Sequence, residues 1–174
     1  MAKRNGWTSR AMRKTDEALN LPRFKRMYFA SHRFDLAARF ARLAYTSPEW
    51  EKMSNGQGQS DMLEALLYAT VIAYMAPFQK SWDAPDVWEK LLVKDMPYDS
   101  EGHALHEFLD SLRHKIMAHT EGNDWHGAEI TADGVKVTQR RPEVARITFE
   151  EIECLARKAA KYAEGEAQRL LARP

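Results

Sequence analysis

Apolar residues recur at three- and four-residue steps in four long stretches of the chain, about 24–45, 60–77, 100–119 and 148–172. This spacing places side chains on one face of a helix, so each stretch predicts an amphipathic helix with one buried stripe. The residues predicted to be buried are Phe29, Leu36, Phe40 and Leu43, then Leu63, Leu66, Leu67, Thr70, Val71 and Tyr74, then Leu105, Phe108, Leu109, Leu112 and Ile116, and finally Ile152, Leu155, Ala159, Tyr162 and Ala163.

Local signals set the expected ends of these helices. Ser47-Pro48 is expected to stop the first helix, and Ser60 is expected to cap the second. Thr148-Phe-Glu-Glu151 fits a capping box at the start of the last helix. A further short helix is predicted from Pro85 to about Lys94, ending before Pro97.

One segment has a different period. Residues 128–139 alternate between apolar and polar side chains around Asp133-Gly134, a pair that is typical of a tight β-hairpin turn. An isolated hairpin is marginally stable, so this one is expected to pack on the helices. The predicted fold is therefore all-α, a four- to five-helix bundle with a small β-hairpin insertion before the last helix.

The length of 174 residues suits one domain with a sizeable core, predicted over residues 23–174. Residues 1–22 are polar and basic, and their order is left open. Residues 1–26 hold eight basic side chains against two acidic ones, although the whole chain carries a net charge of only +1. A basic end of this kind is compatible with contact to phosphates or to an acidic protein, and equally with a solvated terminus.

The single cysteine, Cys154, excludes an internal disulfide and suits a reducing compartment. Its place between Ile152 and Leu155 predicts a small core or near-core side chain rather than a nucleophile. No apolar run is expected to reach the roughly 18–20 residues that span a bilayer, and no secretory signal precedes the first helix. The sequence thus predicts a soluble, cytoplasmic protein without membrane contact.

The candidate chemistry lies at the end of the third long helix, where Arg113 precedes His119 by six positions. A guanidinium can hold a phosphate, and an imidazole can transfer a proton near neutral pH. On an ideal helix the two residues lie roughly 120° apart. They would converge only if the helix ended or distorted near Ala118, or if a second subunit supplied the other set. The structural alternative is a capping role for both cations at the helix C-terminus.

Arginine followed by histidine is a common pattern, and a second match runs from Arg26 to His32. The context of the first match is more specific. Leu112-Arg-His-Lys-Ile-Met-Ala-His119 resembles the signature of the HEPN superfamily, which consists of helical-bundle proteins of prokaryotic conflict systems and some eukaryotic RNA-processing factors. The number of helices and the position of the motif before the last helix also match the layout of that family.

The resemblance implies a metal-independent endoribonuclease that works without a cofactor at a cleft between two subunits, in toxin–antitoxin or phage-defence systems. His119 would be the acid or base at the ribose 2′-OH, Arg113 would steady the scissile phosphate, and His114 or Lys115 would assist. The implied partners are an RNA substrate, a second copy of the chain and an antitoxin or other partner protein. Some family members carry a tyrosine two residues after the histidine, where this chain has Glu121.

Two other interpretations stay open. The chain could be a non-catalytic HEPN-like interaction module that binds RNA, a nucleotide or a partner protein. The other interpretation is a plain helical bundle with a metal on the face of His106, Asp110 and His114, whose four-residue steps can chelate. This face is predicted to be solvated, so no metal ligand is assigned. Ser81 and Trp125 are the candidate residues of a substrate cleft.

Overall fold

The computed structural model describes residues 21–56, 60–79, 90–117, 126–131, 134–139 and 149–172. In this part of the chain the helices are α1 (Leu21–Tyr45), α2 (Pro48–Ser54), α3 (Asp61–Met75), α4 (Ser100–Met117) and α5 (Phe149–Leu171). Two single 3-10 turns, Ala76–Phe78 and Val93–Asp95, follow α3 and precede α4. The strands are β1 (His126–Thr131) and β2 (Gly134–Gln139).

The predicted all-α character is confirmed, since the described chain is mostly helical and the four long helices lie where the periodicity places them. The cap at Ser60 is also confirmed, because its hydroxyl accepts a hydrogen bond from the backbone N–H of Leu63 at 3.2 Å. Helix α2 was not predicted. Ser47, expected only to end α1, caps α2 by accepting from the backbone N–H of Trp50 at 3.2 Å.

The short helix predicted from Pro85 to Lys94 is wrong over its described part. Residues 90–92 are not helical, and only the 3-10 turn Val93–Asp95 follows them. The backbone N–H of Leu91 donates to the carbonyl of Pro77 at 2.9 Å. The segment therefore uses this donor to join the end of α3 instead of forming a helical bond of its own.

Helices α1 and α5 form the most extensive contact between the described elements, and alanine is the commonest buried residue on both helices. We call this contact the alanine seam; its buried alanines are Ala30, Ala37, Ala38, Ala41 and Ala44 on α1 and Ala156, Ala159, Ala163 and Ala167 on α5. The stripe predicted for α1 is partly wrong, because Phe29 is 46% exposed and Leu43 is 54% exposed. The prediction weighted large apolar side chains, whereas close helix packing selects small ones.

The stripe predicted for α5 fares better. Ile152, Leu155, Ala159 and Ala163 are all buried, and Tyr162 packs partly buried against the core. Cys154 corrects the sequence interpretation, because its side chain is exposed. A step of two residues turns the helix by roughly 200°, which carries Cys154 away from the face that buries Ile152.

The stretch Asp61–Phe78, which covers α3 and the turn after it, is long and apolar enough to cross a membrane by length and composition alone. This corrects the expectation that no run approaches that length. It is weak evidence for a membrane span, because the buried core helix of a soluble protein meets the same criterion, and 44% of this stretch is buried within the fold.

Strands β1 and β2 pair antiparallel, with Ile130 opposite Val135 and Thr131 opposite Gly134. This register leaves residues 132 and 133, which lie outside the described residues, to join the two strands. The packing of these strands on the helices stays a prediction.

Candidate functional site

Three of the six predicted site residues lie on α4, in its last turns before Met117. Arg113 is partly buried, whereas His114 and Lys115 are exposed. The other three, His119, Ser81 and Trp125, lie outside the described residues. The convergence of Arg113 with His119 therefore stays a prediction.

The guanidinium of Arg113 is uncommitted within the part of the chain that the structure describes. No hydrogen bond or ion pair joins it to another residue there, including the last carbonyls of α4 that a capping role would use. A partly buried arginine without a carboxylate partner keeps its planar fork of donors for a ligand such as a phosphate. Beside it, Nε2 of His114 lies 3.7 Å from Oδ2 of Asp110, and both side chains are substantially exposed.

The buried face of α4 differs from the prediction in two positions. His106, expected on the solvated face, is only 5% exposed, and Phe108, expected in the core, is 45% exposed. The predicted core positions Leu109, Leu112 and Ile116 are buried, and Leu105 packs partly buried against the core. The buried arc of the helix is thus rotated toward His106, which faces the end of α3.

His106 belongs to an aromatic cluster that is held together by hydrogen bonds. The hydroxyl of Tyr74, a fully buried residue, lies 2.9 Å from the hydroxyl of Tyr98 and 3.1 Å from Nδ1 of His106. The ring of Phe78 meets the His106 ring edge to face, with centroids 4.6 Å apart. We call these four residues the tyrosine–histidine cluster.

Burial controls the protonation of this cluster. Desolvation raises the pKa of Tyr74 far above its usual value and, despite an opposing hydrogen bond from Tyr74, raises the pKa of Tyr98 to about 12. Desolvation also lowers the pKa of His106, more than the nearby carboxylates of Asp110 and Glu107 raise it. All three polar side chains are therefore neutral near pH 7.

A neutral histidine has one ring N–H and one acceptor nitrogen, so its two nitrogens have opposite roles. Nδ1 of His106 is engaged with Tyr74 in the interior. No residue that the structure describes bonds Nε2 of the same ring. Tyr74 donates its one hydroxyl proton to Tyr98, so Nδ1 of His106 donates to the Tyr74 oxygen and Nε2 is left as an acceptor for a ligand.

His106 lines a cavity of about 480 Å³ between the end of α3, the segment that follows Lys90, and α4. We call it the α4 cavity. Its apolar lining comes from Met75, Phe78, Leu91, Leu92 and Val93, and its polar lining from Gln79, Lys90, His106, Asp110 and His114. Gln79 is partly buried and Lys90 is exposed. The cavity therefore offers apolar and polar groups in about equal measure and is open to solvent on one side.

The alternative in which His106, Asp110 and His114 hold a metal gains no support. Among the residues that the structure describes, no group of three or more histidine, cysteine, aspartate or glutamate side chains is placed to hold a metal ion. One nitrogen of His106 is already bonded to Tyr74, and Asp110 lies against His114.

Sequence reasoning missed the tyrosine–histidine cluster and the α4 cavity, although it expected Tyr74 to be a core residue whose hydroxyl needs a partner. That expectation is confirmed. The partners lie 24 and 32 residues further along the chain, so no local spacing relates them. Gln79 and Lys90 carry no pattern of their own. Comparison with family models, curated proteins and solved structures finds nothing that matches this chain.

Proposed function

We propose that the chain is a metal-independent endoribonuclease of the HEPN type, which acts in the cytoplasm as part of a toxin–antitoxin or phage-defence system. The proposal rests on Arg113, which begins the sequence Arg-His-Lys-Ile-Met-Ala-His119. Its guanidinium has no partner among the described residues. The proposal also assigns the helices to a HEPN-like bundle, with the hairpin of β1 and β2 packed on it.

The chemistry follows from the residue types. In the proposed reaction His119 removes the proton of the ribose 2′-OH, and the 2′ oxygen attacks the neighbouring phosphorus. The bond from phosphorus to the 5′ oxygen breaks, His114 or Lys115 supplies a proton to the leaving oxygen, and a 2′,3′-cyclic phosphate remains. Arg113 would stabilise the negative charge that grows on the phosphoryl oxygens. Each of these steps needs only side chains of this protein.

The proposed active assembly is a homodimer. A twofold axis next to the C-terminal end of α4 would bring two copies of the motif into one cleft. Arg113 of one copy could then act with His119 of the other, which removes the angular separation of the two residues on a single helix. An antitoxin or other partner protein would restrain the enzyme by covering this cleft.

The test is cleavage of a mixed-sequence single-stranded RNA by the purified full-length protein in the presence of EDTA. Wild-type protein is expected to cleave, and Arg113→Ala and His119→Ala are each expected to lower the rate by roughly 100-fold or more, the contribution usual for a positioned acid, base or charge. His32→Ala is the matched control, because exposed His32 belongs to the second arginine–histidine match and should be dispensable. Absence of cleavage by wild type, or full activity of His119→Ala, would contradict the proposal.

The α4 cavity favours a second candidate, a non-catalytic module of the same fold that binds RNA or a nucleotide. Growth of an expressing culture separates the two functions. Growth arrest that Arg113→Ala relieves supports the enzyme. Normal growth with wild-type protein, together with nucleotide binding in vitro, supports the binding module.

A further inference from the structure

The geometry points to the α4 cavity as a pocket for the base of one unpaired nucleotide, with His106 and Gln79 binding the edge of that base. Nothing in the arginine–histidine motif requires such a pocket, because the motif acts on sugar and phosphate. The assignment of the nucleotide to an RNA substrate rests on the proposed function, whereas the binding of a base does not.

His106 is the strongest reason to regard this cavity as a built site. Its side chain is 95% buried, yet only Nδ1 has a hydrogen-bond partner among the described residues. Within the described residues Nε2 has no protein partner and is not enclosed by the fold, so a ligand in the cavity can bond it. The hydroxyl of Tyr74 fixes the rotation of the imidazole, so the direction of Nε2 is set before any ligand arrives.

The apolar lining suits the two faces of a planar heterocycle. Phe78 and Leu91 are both buried, and they come from segments tied to each other by the backbone hydrogen bond between Leu91 and Pro77. The volume of about 480 Å³ lies in the range of roughly 300–1,000 Å³ that is usual for small-ligand sites. RNA-binding proteins recognise unpaired bases by enclosing them against apolar and aromatic groups and bonding their edges.

The polar lining suits the edge of a base and the phosphate attached to it. The Gln79 amide can both donate and accept, and the Asp110 carboxylate accepts from ring or exocyclic N–H groups. Lys90 lies at an exposed position of the same lining, where its ammonium group can approach the phosphate. His114 lines the α4 cavity and follows Arg113 in the sequence, so the pocket adjoins the start of the proposed catalytic motif.

The experiment titrates full-length protein with the 5′-monophosphates of adenosine, guanosine, cytidine and uridine and with ribose 5-phosphate, followed by calorimetry. At least one nucleotide is expected to bind roughly tenfold or more tightly than ribose 5-phosphate, because the sugar phosphate lacks the base. Equal binding of all five compounds would overturn the inference, since it would reveal a phosphate site only. Failure of every compound to bind would overturn it as well.

Two variants locate the site. His106→Asn keeps a polar atom near the position of Nδ1 for Tyr74 but removes the atom at the position of Nε2, and Gln79→Ala removes the amide from a position outside the core. Each is expected to weaken nucleotide binding roughly tenfold, the effect of about one hydrogen bond. Gln168→Ala, an exposed glutamine on α5, is the matched control and should bind as wild type does. Unchanged binding by Gln79→Ala and by a folded His106→Asn would contradict the assignment.

Cleavage and binding can fail separately. If nucleotides bind in the α4 cavity but RNA stays intact, the proposed enzyme is wrong and the pocket stands. If RNA is cleaved and Arg113→Ala abolishes cleavage, but no nucleotide binds, the enzyme stands and the pocket is wrong.

Discussion

The alanine seam and the tyrosine–histidine cluster bury their side chains by opposite means. In the seam, the buried residues of α1 and α5 are mainly alanines, and the polar bonds between the two helices, Arg23 with Glu166 and Tyr45 with Glu153, lie near the helix ends. In the cluster, large aromatic rings surround three polar atoms that must be bonded to one another: the hydroxyls of Tyr74 and Tyr98 and Nδ1 of His106. Phe34 on α1 lies in the same buried stripe as the alanines, and its ring packs against those of Tyr74 and Phe78.

This contrast separates the part of the fold that serves stability alone from the part that can also serve a site. Alanine loses no side-chain entropy on burial and allows close helix contact, but it offers nothing to a ligand. The cluster instead buries side chains with hydrogen-bonding groups, and one such group, Nε2 of His106, has no partner among the described residues. Substitutions that add volume should therefore lower the unfolding free energy most in the seam, and substitutions that remove a polar group should lower it in the cluster.

The largest effect is expected from Ala159→Leu in the alanine seam. Ala159 is fully buried, so the added isopropyl group must push neighbouring side chains or helices apart, at a cost of about 1–3 kcal/mol of unfolding free energy. Urea denaturation measures the change. Ala104→Leu on α4 makes the same substitution at an exposed position and should change stability by less than about 0.5 kcal/mol. Equal effects at both positions would show that the seam is not closely packed.

A smaller effect is expected from Tyr74→Phe in the cluster. The ring is retained, but Tyr98 and His106 lose their shared partner, which should cost about 1–2 kcal/mol of unfolding free energy. Tyr28→Phe is the matched control, because Tyr28 is 47% exposed and its hydroxyl can bond water. A neutral result for Tyr74→Phe would mean that the hydroxyl contributes nothing to the cluster.

The smallest effect concerns pH. Burial lowers the pKa of folded His106 below its unfolded value of about 6.5, so the unfolded chain binds the extra proton more readily. The contribution of His106 to stability is therefore complete above the unfolded pKa and is lost as pH falls through the folded pKa. The unfolding free energy of wild type should decrease from pH 7 toward pH 5.

Comparing how the stability of two variants depends on pH separates the effect of His106 from that of the other histidines. His106→Asn is expected to flatten the dependence on pH, because asparagine does not titrate, whereas His114→Gln removes an exposed histidine of the same helix and should retain it. Hydrogen bonds from neighbouring side chains lower the pKa values of Asp99 and Glu49, and at Glu153 they outweigh the opposing effect of desolvation. The stability that these carboxylates contribute is therefore lost at lower pH than this window. A slope that survives His106→Asn would remove His106 as its cause.

The sequence predicted the long helices because their apolar spacing is a property of each helix alone. It predicted the wrong face where burial depends on a distant partner. In α4 the buried positions Gly102, His106, Leu109, Leu112 and Ile116 span an arc centred roughly 45° from the centre of the predicted stripe, on a helix of 100° per residue. The shift arises because Tyr74 of α3 supplies the bond that makes burial of His106 tolerable.

The candidate site also has a part that the sequence could predict and a part that it could not. The arginine–histidine motif could be found because its residues are close in sequence, and its geometry stays a prediction because His119 lies outside the described residues. The α4 cavity could not be found, because Gln79, Lys90 and His106 come from three segments that only the folded chain brings together. Periodicity also counts histidine as polar and phenylalanine as apolar, so it predicted an exposed His106 and a buried Phe108, the opposite of what the structure has.

The single backbone bond from Leu91 to Pro77 has a consequence for protein engineering. The 2.9 Å hydrogen bond holds the two residues that flank the segment 78–90 next to each other, so that segment counts as a closed loop. The entropic cost of closing a ring grows only with the logarithm of its length, so each doubling adds about 0.6 kcal/mol. A peptide tag inserted between Pro77 and Leu91 should therefore leave the hydrogen bond between them intact, and the tag would then lie near the α4 cavity without disrupting it.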